Sequence, residues 1–116
     1  MGSTFSNPEV KPQVKKWRNG IVREEIHSNG LKRSYYESGV KESETYKDGT
    51  YWEWYPSGSL KKEGYNTGEI KEYNRNNILI FHKLSNGNEM IYNDEGILEI
   101  KKIFRQNEDN NSMMTS

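Results

Sequence analysis

The chain contains no cysteine, no alanine and only three prolines among its 116 residues. Without cysteine there is no disulfide framework and no thiolate metal site. Without alanine, helices are disfavoured as the main element. No run of apolar residues is long enough for a membrane-spanning helix. No signal-peptide pattern opens the chain, so a cytoplasmic location is expected. Charge of one sign is missing too: 17 Lys and Arg balance 17 Asp and Glu. No net field therefore draws the chain to nucleic acid or to an anionic membrane. Hydrophobic residues make up only 31%, which alone would suggest disorder, but aromatics reach 12% and fall in a strict pattern.

That pattern is an internal repeat. Gly20, Gly30, Gly39, Gly49, Gly58, Gly68, Gly87 and Gly96, with Asn77 filling the one gap, are spaced alternately 10 and 9 residues apart. Asn is the residue after Gly that best tolerates a positive φ, so Asn77 is expected to take the same left-handed conformation. The residue before each mark is mostly Asn, Asp, Ser or Thr, which reads as a hairpin turn. Two aromatic columns keep the resulting 19-residue period: Tyr35, Trp54, Tyr73, Tyr92 and His27, Tyr46, Tyr65, Leu84, Ile103. The segments between turns are rich in Tyr, Trp, Ile and Thr and read as strands. The expected fold is all-β: a single-layer antiparallel meander of about ten short strands built from 19-residue hairpin repeats. The repeat domain is placed at residues 15–105, with mobile tails at 1–14 and 106–116.

The segments Tyr35-Tyr36-Glu37-Ser38-Gly39, Tyr46-Lys47-Asp48-Gly49 and Trp54-Tyr55-Pro56-Ser57-Gly58 resemble MORN-variant repeats, in particular those of bacterial YwqK-family antitoxins. The match runs from Tyr35 to Gly68. The resemblance implies a repeated β-hairpin sheet and protein binding rather than a reaction.

A 19-residue unit is odd, while side chains alternate with period two. One extra residue per unit is needed to keep the columns on one face. A three-residue loop with a bulged Gly at Glu37-Ser38-Gly39 and Pro56-Ser57-Gly58 would supply it, with two-residue loops at turns of the Asp48-Gly49 kind. In that register one face is apolar with basic edges. It carries the structural aromatics Tyr35, Trp52, Trp54, Tyr73 and Tyr92, with Ile26, Phe81 and Ile100, and is covered by curling, a homodimer or a partner protein. The other is acidic and tyrosine-bearing, with Glu44, Glu53, Glu63 and Glu72 beside Tyr46, Tyr55 and Tyr65. Glu44 falls opposite Glu53, Glu63 opposite Glu72, and Lys61 opposite Glu53. Like charges across a strand pair are unfavourable, which marks this patch as the expected partner-binding surface; ordinary solvated strands are the plainer alternative.

Little points to catalysis. His27 and His82 have no acid-base spacing, the glycines are turns rather than a phosphate cradle, and no serine sits in a nucleophile elbow. No metal site and no cofactor are expected. The leading expectation is a non-enzymatic module that neutralises a basic partner, as an antitoxin or immunity protein does with a nuclease or other toxin. A phage anti-defence inhibitor of a nuclease effector, in the manner of an anti-CRISPR, would use the same physics. A membrane-surface or self-assembling structural role is the remaining alternative.

Overall fold

A computed structural model describes residues 11–104, and the two expected tails lie largely outside them. Ten strands form one antiparallel sheet in sequence order: β1 (Gln13–Lys16), β2 (Val22–Ile26), β3 (Lys32–Tyr35), β4 (Lys41–Thr45), β5 (Tyr51–Trp54), β6 (Leu60–Gly64), β7 (Ile70–Tyr73), β8 (Leu79–Lys83), β9 (Glu89–Tyr92) and β10 (Leu98–Lys102). The all-β, single-layer meander is as the repeat predicts. Its first strand begins at Gln13, two residues inside the segment assigned to the N-terminal tail.

All nine turns are built alike. In each, the glycine N–H, or that of Asn77, donates to the carbonyl three residues back. The residue bearing that carbonyl donates its own N–H to the residue after the glycine; Tyr46 N to Thr50 O at 2.8 Å is one case. This is a three-residue loop with the third residue left-handed. Asn77 takes that conformation at φ 64° and is the one non-glycine residue with positive φ among the described residues. The residue before the glycine earns its place through its side chain. Asp48 Oδ1 accepts the Thr50 N–H at 2.8 Å and Asn19 Oδ1 that of Ile21 at 2.9 Å, closing the turn from inside.

The division into two-residue and three-residue loops is therefore corrected. The extra residue that parity demands sits in a strand, three positions after every second turn. Arg23, Glu42, Lys61, Ile80 and Glu99 are each skipped in the pairing, making one β-bulge per unit. Relative to the expected register, each hairpin closed by a turn of the Asp48-Gly49 kind slips by one residue. A slip of one sends side chains to the other face. Glu44 lies opposite Trp52 and Ser43 opposite Glu53. Glu63 lies opposite Lys71, and Glu72 opposite Lys62. Lys62, not Lys61, faces Glu53. The like-charge confrontations do not exist.

One face, the aromatic face, carries Tyr35, Trp52, Trp54, Tyr73 and Tyr92, as expected, with Leu60, Leu79 and Leu98. Ile26, Phe81 and Ile100 move to the opposite face, where they join Tyr51, Ile70 and Ile91. No hydrophobic side chain is buried among the described residues. Cohesion comes instead from the ladder itself and from side chains that reach across it. Trp17 Nε1 donates to Tyr35 O at 3.0 Å, Tyr36 OH to Trp54 O at 2.6 Å and Tyr55 OH to Tyr73 O at 2.7 Å. Each acceptor lies 18 residues beyond its donor, so each ring clips one unit to the next. Asn74 holds the next position and replaces the ring with an amide, whose Nδ2 donates to Asp94 O at 3.2 Å.

Candidate protein interface

The seven residues expected to form one acidic patch are divided by the sheet. Glu44, Glu63, Tyr46 and Tyr65 belong to the aromatic face, grouped around Trp52. Glu53, Glu72 and Tyr55 belong to the opposite face. Only the first group is contiguous enough to describe as a site.

Its centre is Trp52 on β5. Tyr46 meets it edge-on at 5.3 Å between ring centroids and Tyr65 at 6.3 Å. Both tyrosines occupy the position just after an even-numbered strand, one repeat apart, so the turn geometry brings them symmetrically to the two sides of the indole. Edge-to-face pairs place the positive ring edge on the negative face, which favours this arrangement over stacking. Tyr46 remains 39% exposed, and Trp52 and Tyr65 are half-buried. Trp54 lies on the same face with Lys41 Nζ 5.0 Å from its centroid.

The carboxylates around this triad are not equivalent. Glu44 is the one buried charged residue among those described, at 7% exposure. Its carboxylate accepts Arg33 Nε at 2.8 Å, Lys41 Nζ at 3.0 Å and Tyr46 OH at 3.1 Å. Burial pushes the Glu44 carboxyl up, but the hydrogen bonds from Lys41 and Arg33 more than offset this and hold it below the usual carboxylate range. Glu44 is thus an internal counter-ion, not an outward contact. Glu63, its equivalent one repeat on, accepts Tyr73 OH at 3.2 Å. Lys71 stands directly across from it, yet the two form no ion pair. Glu25, one repeat earlier, accepts Tyr35 OH at 3.4 Å and has Arg33 Nη1 at 3.6 Å. Burial first, and the adjoining Glu25 or Glu63 next, push the hydroxyls of Tyr35, Tyr65 and Tyr73 up, so they stay neutral donors.

The buried role of Glu44 was invisible in the sequence because it depends on register. One signal was present: Arg33 and Lys41, the two cations that meet Glu44, break the repeat columns, which hold Trp52 and Leu60 one unit later. The chain's sequence matches no known protein-family model and no characterised protein. Among the described residues no group of three or more His, Asp or Glu is arranged to hold a metal ion. No helix there is long and apolar enough to cross a membrane.

Proposed function

We propose that the chain is a protein-binding repeat module that neutralises a basic partner, as an antitoxin or immunity protein does with a nuclease or other toxin. The observation carrying this reading is the half-exposed aromatic row centred on Tyr46, Trp52 and Tyr65 on a sheet without a hydrophobic core. Rigid aromatic side chains of this kind become hot spots because they supply contact area at small entropic cost. Glu63 supplies the acidic contact, being the central carboxylate of that row that forms no ion pair among the described residues. The resemblance to YwqK-family antitoxins points the same way. A phage inhibitor of a nuclease effector would employ the same surface.

The test is a pull-down from the native host with mass-spectrometric identification of the bound protein. The parent chain is expected to retain a basic protein. Changing both Tyr46 and Tyr65 to Ala should lose it, as should Glu63→Lys, while Glu99→Lys at the far end of the sheet should not. Retention by the Tyr46/Tyr65 double variant at parental strength would place the interface elsewhere. Co-sedimentation with anionic vesicles in place of any protein partner would favour the membrane-surface reading.

A further inference from the structure

On the face opposite the aromatic row, successive repeats place a ring where the chain crosses to the next unit: Trp17, Tyr36 and Tyr55. Six residues after each ring comes the bulged residue, which projects onto the same face: Arg23, Glu42 and Lys61. In the first and third cases that residue seats a cation on its own ring. The Arg23 guanidinium lies 5.4 Å from the Trp17 centroid and Lys61 Nζ 5.7 Å from that of Tyr55. Arg75 joins Lys61 over Tyr55 at 5.4 Å.

The middle repeat inverts this charge. Glu42 takes the place of the cation, so Tyr36 alone of the three rings has no cation over it among the described residues. A depression of about 270 Å³ opens beside it, lined by Ser34, Tyr36, Glu42, Ser43, Glu53, Trp54 and Lys61. The Ser34 hydroxyl is 3.2 Å from Glu42 Oε1 and 2.6 Å from the Ser43 hydroxyl. Neither Glu42 nor Glu53 forms an ion pair among the described residues. Lys61, on the rim, is committed to Tyr55 instead.

We propose that this depression receives an arginine side chain of a partner polypeptide, its guanidinium laid on the Tyr36 ring and bonded to Glu42 and Glu53. The chain's own repeats supply the template, since at the equivalent positions the ring is already capped by Arg23 or by Lys61. A planar guanidinium suits the site better than an ammonium, because it stacks on a ring and donates to two carboxylates at once. The site lies across the sheet from the Trp52 cluster and does not depend on it.

Titration of the full chain with methylguanidinium, followed by NMR, tests this directly. Urea at the same low concentration is the neutral control of similar shape. Saturable shifts should centre on Tyr36, Glu42 and Glu53, and urea should not reproduce them. Glu42→Lys restores the cation that the neighbouring repeats carry. It should leave the fold intact and weaken methylguanidinium binding at least about tenfold, the equivalent of one lost charge-assisted hydrogen bond. Glu53→Gln should weaken it in the same direction, and Glu63→Gln on the other face should not. Shifts spread evenly over all carboxylates, equal shifts from urea, or unchanged binding in Glu42→Lys would each overturn the assignment.

Discussion

Neutralising Glu44 by Glu44→Gln removes the charge that holds Arg33 and Lys41 together while keeping the shape of the side chain. The carboxylate is buried, but its partners are not: the Arg33 and Lys41 side chains are 34% and 39% exposed. Solvent therefore screens part of each interaction. The expected loss is about 2 kcal/mol, in the lower part of the range for hydrogen bonds to charged groups. The assay is urea unfolding of parent and variant, with Glu63→Gln as the matched control one repeat away. Glu63 forms no ion pair among the described residues and should lose clearly less. Acid distinguishes charge from shape. The folded-state carboxyl of Glu44 is depressed below its unfolded value, so its contribution is present above the unfolded value and fades as pH falls through the folded one. The gap between parent and Glu44→Gln should therefore close on acidification. A pH-independent gap, or equal losses in the two variants, would refute the reasoning. Glu44→Lys should destabilise the free protein further, because it sets a third cation between Arg33 and Lys41.

Three further outcomes follow from the fold. Asn77→Gly should be neutral or slightly stabilising by thermal melt, whereas Asn77→Val should cost about 1–2 kcal/mol for forcing a branched residue into the left-handed region. Tyr36→Phe removes the hydroxyl that reaches the Trp54 carbonyl and should cost about 1 kcal/mol in urea unfolding, with the circular dichroism spectrum unchanged. Gly64→Ala should destabilise although Gly64 has an ordinary backbone, because a methyl group there runs into the Tyr51 ring opposite; a neutral result would mean that the ring does not lie over this glycine.

The repeat made the architecture legible. Turn positions, strand count and the left-handed Asn77 all follow from glycine spacing, since a positive φ is a local demand that only a few residues meet. Alternation does require one extra residue per 19-residue unit. What local chemistry did not reveal was where that residue goes. Asn-Gly and Asp-Gly serve two-residue and three-residue loops alike, and Arg23, Glu42 and Lys61 carry no mark of a bulge. The difference is a single residue, yet alternation turns it into a change of face for Glu44, Glu63, Tyr46 and Tyr65, which join the aromatic face. The aromatic face survived because Tyr35, Trp54 and Tyr73 are tied together by the repeat itself, whichever loop closes the hairpin.

A repeated backbone also separates what folding requires from what it leaves open. Turn glycines recur because every unit needs them. The columns that vary are those the fold does not dictate. At the bulge the residues run Arg23, Glu42, Lys61, Ile80 and Glu99, and the column of Glu25, Glu44 and Glu63 continues as His82 and Lys101. These positions share one backbone environment, so their differences do not arise from strand geometry. His82 shows how such a change redirects a side chain: its Nε2 lies 2.7 Å from Glu69 Oε2, a pairing that the glutamates of the same column do not make. Chemical individuality is thus concentrated where identical scaffolding permits it. Two of the changes of charge within the central units, Glu42 between two cations and Lys41 among Val22, Leu60 and Leu79, adjoin the two candidate surfaces.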